Sequence, residues 1–223
     1  MIVHYQLSKE GIGMEINWKD NMNEVGGAFA LSWMVFGMGN VEFAIAMAIA
    51  WIAFTGAHLL PVVTWCHMMT SDLSDVEGNW MANGMRLLSQ VIGACLAIVI
   101  VTEGSAIGGA YEAAELWVYN GTSKVQLCWI VMGWIAAGAI WWQIHTRCDS
   151  PWASGIGLMV LMSIMPLEGA DNMGSSITSL GDGMVNTLVN WISHGLIIGS
   201  GALLGVKIDE MLADMDSGSS EEE

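Results

Sequence analysis

Charge is scarce in this chain, and positive charge is scarcest. Only 13% of its 223 residues are Asp, Glu, Lys or Arg, and Lys and Arg together number 6. A soluble domain carries about 25% charged residues, so the shortage argues against a soluble globular enzyme. The lack of bases removes the footprint that nucleic acid needs, and no nucleic-acid partner is expected. With 3 prolines, 54% hydrophobic residues and so little charge, a collagen, a coiled coil and a disordered chain are excluded. The four cysteines, Cys66, Cys95, Cys128 and Cys148, show no C-x-x-C spacing. Cys95 and Cys128 lie in apolar runs, so they read as small core residues rather than a disulfide framework or metal site. No helix carries ligand spacing such as H-E-x-x-H. No enzymatic activity, cofactor or metal is therefore expected. The opening residues contain no apolar core of a signal peptide, and no cleaved leader is expected.

What remains is apolar sequence in long runs. A spanning helix needs about 20 mostly apolar residues. Six candidate spans read at 23–39, 41–57, 84–101, 125–144, 152–167 and 191–206. Two shorter segments, 59–69 and 173–188, are too short or too polar to span. Each follows a Gly-Ala pair, Gly56-Ala57 or Gly169-Ala170, and reads as re-entrant, which is tolerated only where backbone is buried or lines a cavity. A cytoplasmic N-terminus puts Lys9, Lys19, Arg86, Arg147 and Lys207 inside and only Lys124 outside, a positive-inside pattern with both termini cytoplasmic. The 22 acids include seven after Lys207, an acidic cytoplasmic tail over 207–223.

Three spans with one re-entrant piece occur twice. The first unit covers 22–103 and the second 125–206, after a cytoplasmic segment 1–21. Three spans per unit make the copies opposite in orientation, which places a site at the mid-membrane repeat interface. Gly56-Ala57-His58-Leu59-Leu60-Pro61-Val62-Val63-Thr64 echoes Gly169-Ala170-Asp171-Asn172-Met173-Gly174-Ser175-Ser176-Ile177-Thr178. Gly93-Ala94 in the third span is matched by Gly201-Ala202 in the sixth, small residues that let membrane helices approach closely.

These residues resemble the major intrinsic proteins, the aquaporins and glycerol facilitators. Glu24-Val25-Gly26-Gly27-Ala28-Phe29 is similar to the E-x-x-G-T-F opening of that family. Gly56-Ala57-His58-Leu59-Leu60-Pro61-Val62-Val63-Thr64 is similar to its G-A-H-x-N-P-A-V-T. Ser89-Gln90-Val91-Ile92-Gly93-Ala94 resembles the S-Q-x-x-G-A of its third helix, and Trp191 with Gly199 and Gly205 resembles its sixth. The resemblance spans 22–206. It implies an all-α membrane fold of six transmembrane helices and two re-entrant half-helices, an inverted repeat. It further implies a homotetramer in the lipid bilayer with one pore per subunit. The function implied is a passive channel for water or a small neutral solute such as glycerol.

The site residues follow from the same resemblance. The pore centre would be Leu60, Pro61 and Val62 with Asn172, Met173 and Gly174. The filter would be Val41, Leu161, Ala170, Asp171 and Ser175. Glu24, His58, Gln90 and Gln126 would support the re-entrant loops, with Gln126 the neutral counterpart of Glu24. The chain departs from the family at informative points. Leu60 stands where the first Asn-Pro-Ala box has asparagine, Met173 where the second has proline, and Ser175 where the filter has arginine. The centre should then be more apolar and the filter wider and less cationic. Asp171 reads either as a helix cap or as an attraction for cations. His67 reads as structural or as a protonation gate. Trp18, Trp80, Trp117, Trp141, Trp142, Trp152 and Trp191 read as an interfacial belt. Two other functions stay open: a channel changed towards cations or larger solutes, and a non-conducting membrane scaffold.

Overall fold

The computed structural model describes residues 16–37, 42–103, 115–117, 122–164, 169–178 and 183–219. Among them every regular element is helical. The order is α1 (Trp18–Ser32), α2 (Phe43–Ala53), α3 (Pro61–Thr70), α4 (Ala82–Glu103), α5 (Lys124–Arg147), α6 (Pro151–Ile164), α7 (Ala170–Thr178) and α8 (Met184–Ser219). A π-helical turn, Trp33–Gly37, extends α1, and another, Val76–Met81, leads into α4.

Local chemistry sets the ends. The Asn17 side chain accepts the Asp20 N–H at the head of α1, and Ser123 accepts the Gln126 N–H at the head of α5. Pro61 and Pro151 open α3 and α6, where a missing N–H costs nothing. His145 and Arg147 close α5 at its negative dipole end. α2 stops at Ala53, before Gly56 turns the chain at φ +83°. Between α3 and α4 the chain reverses through a polar turn. There the Ser74 hydroxyl and N–H donate to Asp72 at 2.7 and 2.9 Å, and they hold its carboxyl below the usual range.

Several expected boundaries move. The third span starts with the π turn at 76. The second short segment is shorter than 173–188: α7 ends where Thr178 Oγ1 bonds back to the Gly174 carbonyl at 2.9 Å, and 184–188 belong to α8. α8 continues past Lys207 through the acidic stretch to Ser219. At 36 residues α8 is about 54 Å long, well beyond the ~30 Å hydrocarbon thickness of a bilayer. Arg147 pairs with Asp209 at 2.8 Å and Lys207 with Glu210 at 2.7 Å on this extension.

The helices pair in a pattern that maps onto itself when α1–α4 exchange with α5–α8. α1 lies on α4 as α5 lies on α8. α3 lies on α8 as α7 lies on α4, and α2 meets α6. Glycines make these approaches possible. A Cβ on Gly93 of α4 would collide with the Val25 carbonyl of α1, and one on Gly201 of α8 with the Ile135 carbonyl of α5. The recurring Gly-Ala pairs thus sit at matching helix crossings.

The outer faces are apolar. Leu88, Ile92 and Leu96 of α4 are exposed by 58%, 54% and 49%, and Val125, Trp129, Met132 and Ile140 of α5 are exposed as well. Two helical stretches, Val76–Val101 and Lys124–Arg147, are long and apolar enough to cross a membrane. The interior gathers Met47, Leu59, Leu158, Ile198 and Trp141, all essentially without exposure.

Gly201→Val should force α5 and α8 apart. The expected loss is about 1–3 kcal/mol, read as a lower thermal midpoint of helical circular dichroism in detergent. Gly133→Ala, where an added Cβ meets open space, should leave the midpoint unchanged or raise it.

Candidate functional site: two short helices meeting at buried cavities

Glu24 on α1 has no exposed surface. A carboxylate so placed must be saturated with donors, and this one is. Oε1 accepts the His58 N–H at 2.6 Å and Arg86 Nη1 at 2.8 Å. Oε2 accepts the Leu59 N–H at 3.0 Å and Gln90 Nε2 at 2.9 Å. Leu59 adopts φ +67°, a left-handed backbone that leucine rarely takes. That conformation turns two successive N–H groups towards one anion, a backbone nest. Arg86 completes the group by bonding the Gly56 carbonyl at 2.9 Å and Asp20 at 3.0 Å. Gln90 Nε2 also donates to Thr64 Oγ1 at 2.9 Å, and His58 Nδ1 lies 3.2 Å from the same oxygen. Glu24, His58 and Gln90, named from sequence as loop supports, converge here. Arg86 and Thr64 join them, and neither was singled out as a support.

Gln126 does not take the matching position in the second half. It sits on the exposed first turn of α5. The helix crossings identify the true counterpart. Glu24 immediately precedes the carbonyl that meets Gly93, and Trp134 immediately precedes the carbonyl that meets Gly201. Arg86 stands seven residues before Gly93, and His194 seven before Gly201. The Glu24–Arg86 ion pair is thus replaced by Trp134 and His194, whose rings meet edge to face with centroids 4.7 Å apart. Trp117 covers them, donating from Nε1 to Ser193 Oγ at 2.8 Å and from its N–H to Asn190 Oδ1 at 3.1 Å. The belt reading of tryptophan is corrected accordingly: Trp141, Trp142 and Trp191 are buried, whereas Trp18 and Trp152 are exposed.

The heads of the two short helices line one cavity of about 230 Å³. α3 and its approach contribute Leu60 and Val62, and α7 and its approach contribute Gly169, Asp171 and Asn172. Leu31, Ser32 and Val35 from α1 and its extension, Phe43 from α2 and Met162 from α6 complete the wall. Other expected residues lie elsewhere. Pro61 and Ala170 are buried at their helix starts. Met173 packs with Val91 and Trp191, and Gly174 sits against the Cys95 N–H of α4. Ser175 is half-buried and does not line this cavity. Leu161 is rotated into the core and the groove between α5 and α6, so its neighbour Met162 faces the cavity instead. Val41 lies outside the described residues.

Two further cavities open at the opposite end of α3. One of about 390 Å³ is lined by His58 and His67 with Asp20, Glu77 and Arg86 around it. The other, of about 440 Å³, holds His145 and Trp51 with Asp149 and Ser154. The imidazoles meet between them. His58 stacks on His67 with centroids 4.0 Å apart and planes within 1°. His67 meets Trp142 at 4.9 Å and His145 at 5.8 Å, both edge-on. Stacked and edge-on rings do not converge lone pairs, and among the described residues no group of three or more His, Cys, Asp or Glu is arranged to hold a metal. His145 was not distinguishable in sequence because nothing there links position 145 to position 67. The partition between the two sides is thin: His58 and Leu60, two residues apart, open into different cavities, while Leu59 turns into the core.

Compared with known proteins, the chain matches no protein-family model and no curated sequence at a significant level.

Arg86→Ala should leave Glu24 buried and undercompensated, at a cost of about 3–5 kcal/mol. The Glu24→Ala, Arg86→Ala double variant should lose less than the sum of the single losses. Thermal denaturation of all four proteins in detergent measures the difference, and strict additivity would show that the pair does not act as a unit.

Proposed function

We propose that the chain is a passive channel of the aquaporin type, embedded in the lipid bilayer with both termini cytoplasmic. Six spanning helices and the half-helices α3 and α7 form an inverted repeat around one pore per chain. Water or a small neutral solute such as glycerol passes, with no covalent chemistry. The observation that carries this reading is the shared cavity at the heads of α3 and α7, lined by Leu60, Val62, Asp171 and Asn172. Helix N-termini directed at one interior point carry positive dipole ends there, and that field opposes cations and protons. The apolar outer faces of α4 and α5 suit lipid.

The centre carries one amide, Asn172, and an aliphatic side chain, Leu60, so a file of water is interrupted at a hydrophobic constriction. In a homotetramer, the exposed Ile45, Ile49 and Ile52 of α2 and the apolar groove between α5 and α6 offer faces to neighbouring copies. Asp171 on the cavity wall favours a second reading, conduction of cations. Voltage-dependent current in planar bilayers separates the two readings.

Stopped-flow light scattering of proteoliposomes under osmotic gradients tests the proposal. Shrinkage or solute entry faster than in protein-free vesicles is expected. Leu60→Asn should raise water permeability by about tenfold, equivalent to ~1.4 kcal/mol at the barrier. Rates equal to those of protein-free vesicles for every solute, in wild type and variant alike, would overturn it.

A further inference from the structure

The repeat gives the cavity beside His58 and Arg86 a counterpart at the other end of the proposed path. The crossings at Gly93 and Gly201 match each residue of α4 with the one 108 positions later in α8. α4 lines the cavity with Ala82, Asn83, Met85 and Arg86. Their counterparts on α8 are Asn190, Trp191, Ser193 and His194. Three of these four hold Trp117, which belongs to the stretch between α4 and α5. Its N–H donates to Asn190 Oδ1 at 3.1 Å and its Nε1–H to Ser193 Oγ at 2.8 Å. Its ring centroid lies 5.9 Å from that of His194 and 4.9 Å from that of Trp134. Asn190 Nδ2 donates in return to the Glu115 carbonyl at 2.8 Å.

One mouth is thus an open cavity, and the matching place at the other holds an indole. The grip on that indole is shallow. Glu115 and Leu116 are exposed, and Trp117 is half-buried. Beneath it, His194 is only 2% exposed, and neither of its ring nitrogens has a hydrogen-bond partner among the described residues. A buried polar group without a partner costs free energy that water returns on access. The contact therefore covers a group that gains from being uncovered.

We infer that Trp117 is a tethered plug in the outer mouth of the channel, an autoinhibitory contact that opens before solute passes. This rests on the channel reading above. Closed, the indole fills the place that the cavity beside Arg86 occupies at the cytoplasmic end. Open, Asn190, Ser193 and His194 line a polar mouth. Wild-type flux is carried by the fraction of molecules whose plug is withdrawn. The seat of the plug takes a flat aromatic ring with an N–H donor, because an acceptor at Ser193 Oγ and the rings of Trp134 and His194 are what it offers.

The test uses the full chain in proteoliposomes, with water flux followed by light scattering after an osmotic step. Trp117→Ala should raise water permeability about tenfold over wild type, equivalent to ~1.4 kcal/mol at the barrier. Ser193→Ala keeps the ring and removes one of its acceptors. It should raise permeability about fivefold, the weight of one hydrogen bond, and it carries the test if Trp117→Ala fails to give a monodisperse protein. Indole added to the Trp117→Ala vesicles should slow their flux back towards the wild-type rate, and the slowing should saturate. Wild-type and protein-free vesicles given the same indole measure its effect on the lipid alone.

Flux above the protein-free rate that is unchanged in both variants overturns the plug and leaves the channel reading standing. A rise in Trp117→Ala that indole does not reverse marks a loosened fold rather than an emptied mouth, and overturns the plug as well. Absence of flux in wild type, in both variants and in Leu60→Asn overturns both readings.

Discussion

A buried carboxylate organises this molecule. Glu24 lies on the first helix, yet its four donors come from the turn before α3 and from α4. An ion in such a place is tolerable only when its oxygens are fully bonded, so the turn cannot relax without leaving the charge exposed to an apolar interior. The cost of Leu59's left-handed backbone, of order 1–3 kcal/mol, is met by the same two N–H bonds. Through that turn the carboxylate sets where Pro61 starts α3, which side of the partition Leu60 takes, and which side His58 takes. A single side chain on α1 therefore decides the arrangement of a site built mostly from other elements.

The second half reuses the scaffold without the charge. Gly93 and Gly201 produce equivalent crossings, and α3 and α7 lie on equivalent partners. Inside that frame, Glu24 and Arg86 become Trp134 and His194. The first half holds its short segment by charge-assisted bonds. The second fills the equivalent volume with aromatic rings and clamps it with Trp117 through Asn190 and Ser193. Backbone proximity is set by small residues. What occupies the space beside them is free to differ, and here it does.

That difference gives the two ends of the proposed path unlike chemistry. Three imidazoles from the approach to α3, from α3 and from α5 gather at one end, and the shared cavity at the other is mostly aliphatic. A three-residue stretch, His58 to Leu60, separates the two. Hydrogen-bonding groups stop and apolar walls begin within that length, which makes the partition short and places Leu60 beside Asn172 on the wall of one cavity.

Much of the helical framework was legible from sequence because it depends on local facts. Apolar runs and the two short segments after Gly-Ala pairs reflect backbone preferences that act over a few residues. The Gly-Ala pairs at 93 and 201 also marked real close approaches, since only small side chains permit them. Local sequence could not say which residues face one another. The rotation of α5 against α8 puts Trp134, not Gln126, opposite the equivalent of Arg86, and the rotation of α6 turns Met162 rather than Leu161 to the cavity. His67 meets His145 from a distance of 78 positions only because α3 and α5 come together in the bundle. Periodicity specifies a helix and its apolar stripe. The angle at which that stripe meets its partner is set by glycine contacts far away in the chain, and those exist only in the folded molecule.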